Sequence, residues 1–323
     1  MNRIVLPLLT LALSLAPVLC RAEEPKAEEA KAIAEIENLG GDVWLDEKSP
    51  DKPVIGVDFK GTKVTDAGLA CLTGLARLQV LELRYLKVGD AGLVHIKGLA
   101  NLRELNLMGT EVTDAGLEHI KGLTGLQTLN LALTQVTDAG LICLRQLCDL
   151  RTLELDRTKV TDAGLENLKG LTRLQSLSLK GTKATDAGLR HLKGLKSLQT
   201  LGPPGGLTDV GLAHLKGLTS LRNLYLQCTK VTDAGLVHIE GMTNLEHLEL
   251  RDTGVTDAGM AHLKGLTNLR ILTLWGTAVT DVGLEYFKGM TKLELLYLNN
   301  AKVTHDGVKK FQQALPKCHI KLY

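Results

Sequence analysis

Residues 112–123, VTDAGLEHIKGL, place Thr113, Asp114, Gly116 and His119 within one short phrase. A carboxylate and an imidazole this close can hold a metal ion or exchange protons. A catalytic pair, however, is needed once, and the chain writes this phrase repeatedly. TDAGL begins at Thr65, Thr113, Thr137, Thr161, Thr185 and Thr232, with near copies at Gly89, Thr208, Thr256, Thr280 and Thr304. The histidine position gives a column of Cys71, His95, His119, Cys143, Asn167, His191, His214, His238, His262 and Tyr286. Equivalent side chains in stacked units project in parallel, whereas a tetrahedral metal needs them to converge. The column therefore reads as a polar helix face, and no metal is expected.

Two other chemistries are conceivable. Glu154 with Asp156, or Asp58 with Glu82, could form the carboxylate pair of a polysaccharide hydrolase. Such catalysis needs the two acids in unlike environments at a suitable separation. The sequence places both pairs on an open, solvated face, so no catalytic residues and no cofactor are expected. A basic line runs through Lys97, Lys121, Arg145, Lys169, Lys193, Lys216, Lys264 and Lys288, broken by Glu240. It lacks interleaved aromatics, and lysines suit helix C-termini on electrostatic grounds alone. With 38 basic and 36 acidic residues the net charge is +2, which gives no drive towards nucleic acid. Cys71, Cys143, Cys148, Cys228 and Cys318 are odd in number and scattered, unlike a disulfide framework or a zinc site. Pairing of Cys143 with Cys148 is the one alternative to free thiols.

The elements that carry these residues follow from the period. The markers recur every 24 residues, with one step of 23 between Thr185 and Thr208. A fixed period of this size means a solenoid. Residues 102–125, LRELNLMGTEVTDAGLEHIKGLTG, serve as the type unit. Leu105 and Leu107 alternate with Glu104, Asn106 and Met108, the period of a half-buried strand. Successive strands stack in parallel, and eleven such units span an arc of roughly 50 Å at the usual strand spacing. Thr110 and its equivalents Thr62, Thr134, Thr158, Thr182, Thr229, Thr253 and Thr277 fall at the turn after the strand. Their hydroxyls are expected to bond the backbone of the next coil; Leu86 and Ala301 interrupt this series. Thr113 is an N-cap, Asp114 sits in the first helical turn where the helix dipole favours a carboxylate, and Val112 and Leu117 form a hydrophobic staple. Gly116 leaves room for the neighbouring coil, and Gly122 is expected in the left-handed conformation that ends the helix. The recurring Asp and Gly thus read as devices that start and stop a short helix.

The pattern LxxLxLxxTxVTDAGLxHLKG resembles a leucine-rich repeat. It is similar to the 24-residue bacterial units, to GALA-type repeats and to the cysteine-containing repeats of F-box adaptors, over residues 54–308. The resemblance implies an α/β horseshoe solenoid of about eleven strand–turn–short-helix units with a parallel inner sheet. It also implies a binding role, usually towards proteins, and no catalytic residues. No F-box-like segment precedes the repeats, so a ubiquitin-ligase role does not carry over.

Outside the repeats the chain divides further. Residues 1–22 read as a signal peptide, with Arg3, the apolar run 4–19, and small residues Cys20 and Ala22 before the cut. The bulky Leu19 argues against acylation of Cys20. Export to a periplasm or beyond is expected, with no transmembrane span in the mature chain. Residues 23–53 read as leader and N-terminal cap, with Ile33, Ile36 and Leu39 on one helix face and Trp44 on a strand. Residues 54–306 form the array, and 307–323 a C-terminal cap. Within the array, 201–207 is irregular: Pro203 replaces the second strand leucine and Gly206 the turn threonine. Two missing amide donors should weaken strand pairing there. This coil is either a hinge or notch between half-arrays or, more simply, a tolerated lesion.

Binding should use residues that vary between units and point off the inner sheet. In the first half these are Asp58, Glu82, Asn106, Asn130, Glu154 and Ser178. In the second half they become Tyr225, His247, Glu249, Arg251, Trp275 and Tyr297. Aromatics make up only 3% of the chain, yet three fall here, with an arginine, and these residue types are enriched at binding hot spots. The six are the candidate partner-binding residues. The expected function is a secreted, non-enzymatic scaffold for a partner protein. The alternative is an envelope glycan or cell-wall binder that stacks sugars on Trp275 and Tyr297.

Overall fold

The structure, a computed structural model, describes residues 24–322. The expected signal segment 1–22 and Cys20 lie outside these residues. The chain forms a 13-stranded sheet whose strands follow one another in sequence order. They are β1 (Asp42–Leu45), β2 (Val54–Asp58), β3 (Val80–Glu82), β4 (Glu104–Asn106), β5 (Thr128–Asn130), β6 (Thr152–Glu154) and β7 (Ser176–Ser178). Then come β8 (Thr200–Gly202), β9 (Asn223–Tyr225), β10 (His247–Glu249), β11 (Ile271–Thr273), β12 (Leu295–Tyr297) and β13 (His319–Lys321). β1 pairs antiparallel with β2, and every later pairing is parallel.

Each strand is three residues long through most of the array because its central leucine must enter the core while its neighbours face out. Leu81, Leu105, Leu129, Leu153, Leu177, Leu201, Leu224, Leu248, Leu272 and Leu296 form one such buried column. No coil closes a core alone; each leucine is covered by its equivalents above and below, so stability is shared between neighbours. The returning segment is a short helix, α-helical at Asp114–Ile120 and 3-10 at Asp66–Gly74 and Gly140–Gln146. The N-terminal helix Glu24–Asn38 lies against the first coil with Ala32 and Ile36 buried, and Glu29 accepts the Val54 amide at 2.6 Å. At the other end, the helix His305–Ala314 buries Phe311 before β13.

Three expectations about the repeat are corrected. The turn threonines do not bond the next coil: Thr110 Oγ1 donates to Leu107 O of its own coil at 2.7 Å, and Thr134, Thr158, Thr182, Thr229, Thr253 and Thr277 do the same. The hydroxyl thereby closes the turn locally, while backbone amides such as that of Glu111, donating to Val88 O, bridge the coils. Gly122 does not take the left-handed conformation; that conformation falls instead just after the strand, at Gly109, Gly181 and Gly276 and at Tyr85, Leu133, Arg157, Cys228, Asp252 and Asn300. The chain must reverse sharply there to leave the sheet, and glycine is the residue that does so without a steric penalty.

The third correction concerns the aspartate. Thr113 does cap its helix, accepting from the Ala115 amide at 3.3 Å. Asp114, however, reaches into the following coil, where it accepts from the Thr137 amide at 2.8 Å and from the Thr137 hydroxyl at 2.6 Å. The same double bond recurs from Asp90 to Thr113, Asp138 to Thr161, Asp162 to Thr185, Asp186 to Thr208, Asp209 to Thr232, Asp233 to Thr256, Asp257 to Thr280 and Asp281 to Thr304. Asp66 makes only the amide bond, since its partner is Gly89. The glycine of the motif makes room for this carboxylate: a Cβ on Gly116 would sit 2.5 Å from Asp90 Oδ1. Asp, Thr and Gly of the phrase are therefore parts of one inter-coil joint.

The short coil keeps both connections. β8 pairs with β7 at three positions and with β9 at two, so pairing is reduced by one residue pair and the sheet is not interrupted. The Asp186–Thr208 joint spans it at 2.9 and 2.5 Å. Cys71, Cys143 and Cys318 are buried and Cys148 and Cys228 exposed, all as free thiols.

Candidate functional site

The concave face is built by the residues that flank each central leucine, three columns wide counting the second residue beyond each strand. The parallel register stacks them strictly: His247, Ile271 and Leu295 share one column, and Glu249, Thr273 and Tyr297 the next. Arg251 and Trp275 follow in the third, where each strand gives way to its turn.

This register brings the six candidate residues together. His247, Glu249, Arg251, Trp275 and Tyr297 line one hollow of about 290 Å³, with Ile271 and Leu295 adding apolar surface. Tyr225 adjoins it through an edge-to-face contact with His247, 5.1 Å between ring centres. The Arg251 guanidinium lies 5.6 Å from the Trp275 ring centre, and Trp275 remains 38% exposed. Burial holds the His247 imidazole below its ordinary range.

Sequence reasoning passed over several members of this surface. Lys180, from the coil before the short one, lies with its Nζ 4.5 Å above the Tyr225 ring. It crosses β8 because Gly202 has no side chain there: a Cβ would stand 2.8 Å from Lys180 Cε. Pro203 and Pro204 are buried, so the irregular coil presents a bare step that Lys180 spans. The signal was present in the replacement of a polar residue by Gly202. Ile271 and Leu295 also stand at outward strand positions and add apolar surface to the cluster.

The acids of the first half are not the open, solvated pair expected from sequence. Burial, and then the neighbouring Asp156 charge, push the Glu154 carboxyl up to about 7. Asp156 instead accepts hydrogen bonds from the Ser178 hydroxyl and, at 3.0 Å, from the Lys180 amide. Two carboxylates two residues apart thus sit in unlike environments. Glu82 is likewise raised by burial, although Asn106 donates to it at 2.8 Å. On the convex side the basic line is partly neutralised within coils, Lys121 by Glu118, Lys169 by Glu166 and Lys288 by Glu285. In the histidine column, Cys143 donates to Glu118, Asn167 accepts from Arg145, and His262 meets Glu240. Among the described residues, no group of three or more His, Cys, Asp or Glu is placed to hold a metal ion. Nor is any helix among them long and apolar enough to cross a membrane.

Comparison with known proteins bears on the fold. A family profile described as "Leucine Rich repeat" matches residues 98–121, 123–144, 146–169 and 241–263. No curated protein sequence matches the chain. Among solved structures, the chain is similar to an internalin (inlF) of Listeria monocytogenes, with a TM-score of 0.56 and 20% identity, over 93% of this chain and 94% of that one. It is also similar to a leucine-rich repeat protein of Leptospira interrogans, with a TM-score of 0.52 and 19% identity over 78% and 74% of the two chains. The structure of PEPR1-AtPEP1 gives a TM-score of 0.52 at 16% identity, over 87% of this chain and 43% of that one.

Proposed function

We propose that this chain, which is a leucine-rich repeat protein, serves as an exported, non-enzymatic scaffold that binds a partner protein through the C-terminal half of its concave sheet. The observation that carries the reading is the clustering of Tyr225, His247, Glu249, Arg251, Trp275 and Tyr297 on one continuous surface with a hollow at its centre. Tyrosine and tryptophan side chains bury much area at little entropic cost, and apolar Ile271 and Leu295 between them favour a partner with an apolar anchor. Export rests on the signal-like residues 1–22, and periplasm or extracellular space is the compartment it implies. The same reading takes 23–53 and 307–323 as caps on an array of residues 54–306, since a solenoid must cover its end coils.

The test is a pull-down from the envelope and secreted fractions of the source organism, with the mature chain as bait. A variant with alanine at Tyr225, Arg251, Trp275 and Tyr297 is the control. A protein captured by the first and lost by the second is the expected result. Capture by both alike sinks the site and moves attention to the convex face or the first half of the array. Recovery of polysaccharide alone replaces the protein reading with an envelope-glycan one.

A further inference from the structure

Trp275 and Tyr297 separate two hollows of different chemistry. One is the hollow with Ile271 and Leu295, suited to an apolar anchor. The other, about 330 Å³, lies towards the C-terminal end and is lined by Trp275, Tyr297, Asn299, Asn300, Lys321 and Leu322. Here two rings are surrounded by two carboxamides and an amine.

Asn299 is the informative residue. It is only 8% exposed, and its Oδ1 is enclosed without a hydrogen-bond partner among the described residues. Buried acceptors are almost always paired, and an unpaired one lining a hollow awaits a donor. An aliphatic side chain entering this space would cover the rings but offer no donor to that acceptor. A pyranose ring meets every group present. Its C–H face packs on an aromatic ring, one hydroxyl donates to Asn299 Oδ1 once the carboxamide turns towards the hollow, and others accept from the Asn300 amide and the Lys321 ammonium. Asn300 stands just beyond the strand with φ 54, which turns it out at the rim.

We infer that this hollow binds a single pyranose unit of a glycan, stacked against Trp275 or Tyr297, hydrogen-bonded to Asn299, and biased by Lys321 towards an acidic sugar. The site shares the Trp275 and Tyr297 wall with the hollow proposed for the partner protein but has its own Asn299 and Lys321, so Asn299→Ala distinguishes failure of one from failure of the other.

The chain contains two tryptophans, Trp44 and Trp275. Trp44→Phe therefore leaves Trp275 as the only indole reporter. The variant is titrated with glucose, N-acetylglucosamine and glucuronate up to roughly 50 mM, enough to saturate a millimolar site. A saturable change in emission is expected, with glucuronate bound several-fold tighter than glucose. Asn299→Ala should weaken binding by roughly tenfold at unchanged circular dichroism. Lys321→Gln should abolish the advantage of glucuronate. Saturation-transfer NMR of the unaltered chain with the same sugars gives an independent reading if Trp44→Phe impairs folding. Silence towards all three sugars, or equal binding by Asn299→Ala, would overturn the assignment.

Discussion

Asp66 shows what one residue contributes to the inter-coil joint, because its partner is incomplete. Gly89 supplies the amide at 2.7 Å but has no hydroxyl for the second carboxylate oxygen. Its backbone is extended, φ −116 and ψ −160, and a Cβ there would lie 3.7 Å from Asp66 Oδ2, an ordinary contact. Gly89→Thr should therefore complete the joint and stabilise the chain by about 1 kcal/mol, read as a higher urea midpoint at unchanged slope. Glu154 acts in the opposite sense. With its carboxyl raised to about 7, the folded chain holds a proton that the unfolded chain has already released. Its contribution to stability consequently falls as pH rises from the ordinary carboxylate range through about 7. Glu154→Gln should remove that slope and stabilise the chain at pH 8 by about 1 kcal/mol, a figure reduced for the solvent that still reaches the group. Urea midpoints at pH 5 and pH 8 for both proteins check it; an unchanged pH slope in the variant would show that Glu154 is not the source.

Between coils, the joint from aspartate to threonine runs along the helical side while the strands run along the other. Removing one carboxylate at mid-array, as in Asp162→Ala, leaves the Thr185 amide and hydroxyl without their acceptor. A loss of about 2 kcal/mol is expected, since hydrogen bonds to a charged group are the stronger kind, and thermal or urea melts measure it. Conversely, alanine at Gly116 should cost a similar amount by forcing Asp90 away, without touching any hydrogen-bonding atom. The strand, the capping threonine and the short helix were all legible in the sequence, because each answers to a pattern within one unit. The aspartate's true partner was not. Its place in the first helical turn already satisfied the dipole argument, so nothing inside one repeat required a contact 23 residues away. The turn threonine was misassigned for the converse reason: its hydroxyl finds a carbonyl three residues back, and periodicity cannot distinguish a local bond from one to the next coil.

Across the whole array, the short coil at 201–207 is where two half-arrays could have separated. Sheet and joint both cross it, so the halves should unfold together rather than in turn. In the Trp44→Phe background, urea transitions followed by Trp275 emission and by circular dichroism should coincide; two separated midpoints would mean that the coil uncouples them. The concave cluster was legible because strand alternation and a fixed period determine which side chains become neighbours. Lys180 was not, since its reach across Gly202 depends on a missing side chain rather than on a present one. The burial of Glu154 was hidden too, because Asn130 and Ser178, which flank it in the register, belong to the adjacent coils. The joint has a further consequence for the history of such a chain. Apart from the coil of Gly89, each internal unit carries the carboxylate that grips its successor and the threonine and glycine that receive its predecessor. A duplicated unit therefore arrives with matching ends, and copying 24 residues lengthens the concave surface by about 4.8 Å without altering any interface already present. Reach becomes a quantity that gene duplication can adjust in even steps, like links added to a chain, while the residues that choose the ligand change independently.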